Sequence, residues 1–338
     1  EISDERIKAQ RYYDGESDIG YEDGRSKCVA TKVRDVVRAT KPSIMRVFLS
    51  TAKPVEYVPK GQEDVAMAEQ ATDFMHHEFQ RLNGYRVLND AIHDALVKKQ
   101  GIVKCYFKTY SKAKIYTETD LSEDDLNFLL ADPEVRLLEQ NMEMRMTANE
   151  FGVEVEAPVF SVKISHGGMK GQLCLESVPP EEFFINRDAR TIEDSYIVAH
   201  RTEMRAGDLV EMGFDPDEVF NLDSLDSGSE ITETEVLARQ GYNEDFSDQD
   251  GADPAMKNVT VTEAYMRMDV DGTGVPVLHK FLLGGTKYEL LDYEPCDEVP
   301  LVKLEVDPEP HSFYGRSLAE LIWDDQDAST AILRGVLD

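Results

Sequence analysis

Histidines and carboxylates lie close together at His76-His77-Glu78, and this is the first place to look for chemistry in the chain. A metal-dependent protease needs histidines at i and i+4 of a helix, so that both rings reach one ion and the intervening glutamate reaches the bound water. Adjacent residues on a helix point about 100° apart, so this pair suits a surface or an interface instead. Asp269-Val-Asp271-Gly272 begins like a calcium loop, but such a loop ends on a glutamate at its twelfth position. Lys280 stands there, and a hairpin turn is the better reading. Paired carboxylates could hold two magnesium ions for phosphodiester cleavage. The candidates are Asp124 with Asp125, Asp215 with Asp217, and Asp324, Asp325 and Asp327. With 67 acidic residues in the chain, such pairs arise by chance, and no basic or histidine partner lies beside them. The last triplet reads as one solvated helix face. No G-x-x-x-x-G-K-[ST] loop is present and no G-x-G-x-x-G follows a strand. Gly284-Gly285 reads as a turn. Asn258-Val-Thr260 matches a glycosylation acceptor without a secretory route to give it meaning. No catalytic, cofactor-binding or metal-binding residue is expected.

The 338 residues suffice for two ordinary domains or one elaborated one. A 41% hydrophobic fraction with 30% charged residues is a globular composition that can bury a core. The formal net charge of −31 makes the surface repel nucleic acid and anionic membranes. Cys28, Cys105, Cys174 and Cys296 are far apart in sequence. That spacing suits neither a zinc site nor a disulfide framework, and reduced thiols in a cytoplasm are expected. The apolar runs are too short for a membrane helix, and residues 1–10 lack signal-peptide character. The chain starts without methionine and stops inside a helical pattern that begins near Ser317, as a segment of a longer polypeptide would.

The elements that would carry these residues are helical first and β-rich later, an α+β order. Ser26 is expected to cap a helix through Val29, Val33, Val36 and Val37, which Pro42 closes before a second piece from Ser43 to Ser50. Residues 54–59 read as extended. Gln62 to Leu82 repeats apolar residues at three and four positions, with Gly84 as its left-handed stop. Tyr85 to Gln100 is a further helix, ended by Gly101. Ile102 to Tyr110 is a strand that could pair with Ile115 to Thr119. Ser122 caps a short helix. Glu134 to Asn149 reads as an acidic helical connector. Phe160 to His166 and Gln172 to Val178 read as a hairpin. Strands at 183–186 and 196–202 and a short helix at 207–212 follow. Residues 215–254 hold thirteen acidic residues and one basic one, Arg239, as expected of a mobile acidic loop. Strands at 259–268, 275–283, 288–293 and 301–306 precede the final helix.

The order of the pieces carries a resemblance. One block runs Thr31-Lys-Val-Arg-Asp-Val-Val-Arg-Ala-Thr-Lys-Pro-Ser-Ile-Met-Arg-Val-Phe48, then Lys53-Pro-Val-Glu-Tyr-Val-Pro-Lys60. It continues through Glu63-Asp-Val-Ala66, Asn89-Asp-Ala-Ile92 and Lys99-Gln-Gly-Ile-Val-Lys-Cys-Tyr-Phe107. A second is Val178-Pro-Pro-Glu-Glu-Phe-Phe-Ile-Asn-Arg-Asp-Ala-Arg190 with Ala199-His-Arg-Thr202. A third joins Val299-Pro-Leu-Val302 to His311-Ser-Phe-Tyr-Gly-Arg-Ser-Leu-Ala-Glu-Leu321 and Leu333-Arg-Gly-Val-Leu-Asp338. In this order they resemble the portal proteins, or head-to-tail connectors, of tailed double-stranded-DNA bacteriophages, in particular the large portals of short-tailed phages. The positions that match as structural landmarks are Pro42, Pro54, Pro59, Gly101, Phe183, Asp188, Pro300, Tyr314, Gly315, Arg316, Ser317, Gln326 and Arg334. In the residue-level reading, Gly315 permits a positive φ, and Ser317 with Glu320 forms a capping box.

The resemblance implies a portal fold, with an N-terminal wing region over 1–214, an acidic insertion over 215–256, β-rich wing over 257–316 and a stem-directed helix over 317–338. It also implies a homo-oligomeric ring of twelve subunits at one capsid vertex, assembled in the host bacterial cytoplasm. Double-stranded DNA would pass through the ring, and terminase, capsid protein and tail adaptor proteins would dock on it, with no membrane involved. Phe48 and Trp323 are candidates for exposed subunit contacts. Two other classes stay open at this point: an acidic scaffold or adaptor that binds only protein, and a metal-dependent nuclease.

Overall fold

A computed structural model describes residues 2–21, 23–50, 53–111, 114–132, 135–148, 154–166, 169–223, 254–270 and 272–338. Most of the acidic stretch, residues 224–253, lies outside the described residues. The chain divides into two compact units, residues 1–106 with 175–338, and residues 107–174.

The first unit opens with helices α1 (Ile2–Asp14) and α2 (Lys32–Leu49). The expected break at Pro42 does not occur. Pro42 lies inside α2, and Ser26 lies ahead of it without capping it. Proline removes one ladder hydrogen bond, here the one that would reach the Arg38 carbonyl. Val33 and Val37 before it and Met45 after it are all buried in one cluster. Burying such side chains is worth about 1.5–3 kcal/mol each, which holds the helix through its weak point. A single 3-10 turn (Gln62–Asp64) then leads into α3 (Val65–Arg81). The left-handed residue after α3 is Asn83, not Gly84. Gly84 starts α4 (Gly84–Lys98) and lies against the Phe79 ring, leaving no room for a Cβ. Lys99 makes the positive-φ turn out of α4. Gly101 opens β1 (Gly101–Ser111), its α-carbon pressed on the Ala91 carbonyl.

The second unit holds β2 (Lys114–Leu121), α5 (Glu123–Leu130), β3 (Val135–Ala148) and β4 (Glu154–His166). They form an antiparallel sheet in the order β2-β4-β3. Three sequence expectations change here. The acidic connector at 134–149 is strand β3, paired along β4 from Val135↔His166 to Ala148↔Glu154. The 115–119 strand pairs with β4 and not with β1. The 160–166 and 172–178 strands are no hairpin pair, because β4 lies between β2 and β3 while β5 (Met169–Val178) joins another sheet. Met142, Met144 and Met146 alternate at the period of a strand, and the long β4 partner satisfies their backbone. Ser122 caps α5 as expected, its hydroxyl accepting from the Asp125 amide at 3.2 Å. Leu126, Phe160, Val162 and Ile164 are the core of this unit.

Back in the first unit come β6 (Phe183–Ile185), β7 (Ile197–Arg205), α6 (Ala206–Glu211) and α7 (Pro216–Asn221). The start of the presumed loop is thus helical: Asp215 caps α7 by accepting from the Asp217 amide at 2.8 Å. After a 3-10 turn (Pro254–Met256) follow β8 (Asn258–Met268), β9 (Val277–Gly284), β10 (Glu289–Pro295), β11 (Leu301–Leu304) and α8 (Leu318–Leu337). Five antiparallel strands run in the order β10-β9-β8-β7-β6, and a second sheet runs β11-β1-β5. Ile102, Val178, Phe183, Val198, Leu278 and Phe313 share one core cluster, drawn from both sheets. The helical core unites Tyr12 of α1, Val33 and Val37 of α2, Ile92 and Leu96 of α4 and Ala319 of α8. The chain is a mixed α+β protein, as expected.

Two glycines test this packing in opposite directions. Gly101→Ala drives a methyl into the Ala91 backbone and is expected to cost about 1–3 kcal/mol. Gly335→Ala, with open space around an exposed position in α8, is expected to gain up to about 1 kcal/mol. Urea midpoints of the two variants check both signs.

Candidate functional site

The Phe313–Ser317 turn is built from aromatic stacking and one close backbone approach. Phe313 is buried, stacks on Phe183 at 5.9 Å between centroids and meets Tyr314 edge-on at 5.2 Å. The Lys303 ammonium lies over the Phe313 ring at 4.5 Å and donates to the Phe313 carbonyl at 2.8 Å. Gly315 does not take a positive φ, which falls instead at His311. It is required because any Cβ would strike the Asp307 carbonyl. That carbonyl accepts from the Arg316 amide at 2.8 Å. The Arg316 guanidinium is exposed and pairs with Glu309 at 3.1 Å. Ser317 is buried, and its hydroxyl accepts from the Glu320 amide at 3.0 Å. The reciprocal half of the expected capping box is diverted, because the Glu320 carboxylate pairs with Lys99 at 3.0 Å.

Beyond this turn, α8 presents Gln326, Thr330 and Arg334 at steps of four, one above another on a single face. All three are buried. The Gln326 amide accepts from the Val33 amide at 3.0 Å and donates to the carbonyls of Tyr12 and Glu16 at 3.0 and 2.8 Å. Thr330 accepts from the Ala30 amide at 3.1 Å and donates to the Gln326 carbonyl at 2.7 Å. Arg334 donates to the carbonyls of Cys28, Ile19 and Gly20 at 2.9–3.2 Å. This column holds the irregular chain between α1 and α2, which has no ladder of its own. Asp327 accepts from the Tyr12 hydroxyl at 2.7 Å and the Ser17 hydroxyl at 2.6 Å. Asp324 and Asp325 are exposed, so the expected solvated triplet is split, with Asp327 turned to structural work. Burial and the Asp327 contact push the Tyr12 hydroxyl well above its ordinary pKa. Trp323 is half-buried against the helical core, with the Lys8 ammonium 4.7 Å over its ring, so it is not an exposed contact. Phe48 is exposed.

The remaining sequence landmarks do not converge on this column. Pro42 lies within α2. Pro54 and Pro59 flank an extended run whose Tyr57 amide donates to Thr72 at 3.0 Å. The Pro300 carbonyl accepts from the Cys105 amide at 2.9 Å. Asp188 is exposed in the turn after β6.

A buried ion array escaped the sequence reading. Lys104 pairs with Glu263 and lies 3.2 Å from His200 Nδ1. His200 Nε2 is 3.4 Å from Glu182, and Lys280 bridges Glu263 and Glu294 at 3.3 and 3.1 Å. Burial raises the Glu263 carboxyl, but Lys104 and Lys280 outweigh it and hold the group below the ordinary carboxylate range. Direct pairing of His200 with Glu263 across β7 and β8 sets this up. Only a register places them together, so spacing within either strand carried no signal.

Among the described residues, no group of three or more His, Cys, Asp or Glu could hold a metal ion. His76 bonds Gln80 at 3.0 Å on the same helix. Asp269 spends its carboxylate on the Thr273 and Gly274 amides, and Asp271 lies outside the described residues. No helix among the described residues is long and apolar enough to cross a membrane. A cleft of about 560 Å³ does open between α2 and α4. On its wall His93 meets the Tyr13 ring edge-on at 5.1 Å. Burial, then the charges of Lys41 and Lys98, push His93 down to about 4, against a smaller opposing pull from Asp90.

Comparison with known families gives a match over residues 1–338 to the family described as Phage SU10 portal protein. No curated protein matches the chain.

Gln326→Leu keeps the volume but strands the Val33 amide and the Glu16 carbonyl, while the Tyr12 carbonyl keeps the Gly15 amide at 3.2 Å. It is expected to lower the unfolding free energy by about 2 kcal/mol or more, at about 1–3 kcal/mol per stranded group, read from urea titration. His93 binds its proton more weakly folded than unfolded. Its contribution is therefore present above its unfolded pKa near 6.5 and is lost as pH falls toward about 4. His93→Gln is expected to flatten the decline in urea midpoint between pH 7 and pH 5, relative to the unaltered protein.

Proposed function

The chain belongs to the phage SU10 portal protein family, and from that premise we propose that it is a subunit of the ring through which double-stranded DNA enters and leaves the capsid. Membership makes it a structural component of a phage portal and implies an oligomeric ring associated with capsid and DNA. We further propose twelve copies at one vertex, assembled in the host cytoplasm, docking terminase during packaging and tail adaptors afterwards. In that reading residues 1–214 and 257–316 contribute to the wing, 215–256 is an acidic insertion, and α8 leads toward the stem. The observation that carries it is the family match along all 338 residues.

Two physical features support it. α8 is tied through Gln326, Thr330 and Arg334 to the chain before α2, so a load on that helix passes into the helical core. The net charge of −31 suits a channel component, since DNA carries one charge per roughly 1.7 Å of axis. A basic lumen would hold it back, whereas an acidic one leaves movement to a motor.

Electron microscopy of the full-length protein tests the proposal. Closed twelvefold rings with a central channel and a predominantly acidic lumen are expected. A protein that stays monomeric, or a ring with a mostly basic lumen, would overturn the corresponding part.

A further inference from the structure

The cleft between α2 and α4 is positive in a strongly negative chain. α2 carries five basic residues, Lys32, Arg34, Arg38, Lys41 and Arg46, against one acidic residue, Asp35. Three of them, Arg38, Lys41 and Arg46, line the cleft, opposed by Asp90 of α4. His93 is neutral near pH 7 and does not change this balance. Elsewhere in the unit cations meet partners: Lys98 faces Glu181, Lys99 faces Glu5 and Glu320, Lys104 and Lys280 share Glu263, and Arg316 faces Glu309. Among the described residues Arg38, Lys41 and Arg46 make no ion pair. Lys41 is moreover half-buried, and loss of water pushes its ammonium below the ordinary lysine value despite Asp90 and Asp94.

We infer that this cleft docks an acidic segment of a second copy of the chain. The inference rests on the reading of the protein as a ring subunit and names one face by which the subunits meet. Identical bodies of charge −31 repel one another, so assembly needs local sites where that repulsion is reversed. The chain itself supplies the complement, with 67 acidic residues to 36 basic ones. The floor fits polypeptide better than DNA. Pro42, Leu49 and Tyr85 of the lining offer apolar contact. A peptide brings carboxylates for the cations and apolar side chains for the floor. A nucleic-acid backbone brings acceptors alone, and Asp90 repels it.

The test uses full-length protein and mass photometry at low and high salt, comparing the unaltered chain with the triple variants R38E/K41E/R46E and R38Q/K41Q/R46Q. Circular dichroism confirms that each is folded. The neutral triple serves if charge reversal prevents folding. Assembly of the unaltered chain is expected to weaken with salt, and the folded variants to need about tenfold or more protein to assemble. Carbodiimide coupling of mixed light and heavy copies is expected to join Lys41 to an aspartate or glutamate of the other copy. Folded variants that assemble at the same concentration, with no such link at Lys41, overturn the inference while leaving the ring reading intact. Variants that assemble normally but lose a DNA mobility shift assign the cleft to nucleic acid and also overturn it. An unaltered chain that remains monomeric at every concentration overturns the ring reading and this inference together.

Discussion

The carboxamide of Gln326 is sealed from solvent and makes three hydrogen bonds to backbone at the exit of α1 and the start of α2. Between α1 and α2 the described residues 15–21 and 23–31 form neither helix nor strand. Their peptide groups lie against α8, where leaving them unpaired would cost about 1–3 kcal/mol apiece. Gln326 can both donate and accept, so it closes the exit of α1 and the start of α2 with one side chain. Thr330 and Arg334 extend the same service one and two turns further along. Remove this column and α1 loses its seat on α8, and the cluster of Tyr12, Val33, Ile92 and Ala319 loses a wall.

The same helix is anchored at its other end by geometry of a different kind. Ser317 closes its first turn, Gly315 lets the chain pass against Asp307, and Phe313 plugs into the inter-strand core beside Phe183. Lys99 gathers Glu5 of α1 and Glu320 of α8 at the point where α4 hands over to β1. Hydrogen bonds along one face and an ion pair at its base thus join α8 to α1, α2 and α4. Such a helix has little freedom to turn about its own axis, a property suited to a part that transmits load.

Charge plays two separate roles. Inside, Lys104, Lys280, His200 and Glu263 form an array whose attraction must offset a large desolvation cost. Outside, most carboxylates of the described residues are solvated and contribute to the acidic field. The basic face of α2 belongs to neither class, since its cations are near the surface and still without acidic partners in contact among the described residues.

Much of this was legible beforehand. Helical spacing in 62–82 and 85–100, the serine caps at Ser122 and Ser317, and the strand runs of β7 to β11 depend on residues close in sequence, where propensity and capping act. The ordered motifs likewise pointed to the family. What failed did so for long-range reasons. Residues 135–148 lack a helix-breaking residue, and only pairing with β4 makes them a strand. Pro42 is a local stop signal overruled by burial of Val37 and Met45 on either side. Asp327 looks like its neighbours until Tyr12 and Ser17, more than three hundred residues earlier, claim its oxygens. By itself the sequence determined the α+β class, the acidic surface, the caps of α5 and α8 and the kinship. The tertiary structure alone decided which strands share a sheet, which glycines are pressed by backbone and which polar side chains are buried. Those outcomes depend on contacts between distant segments, and no local spacing encodes them.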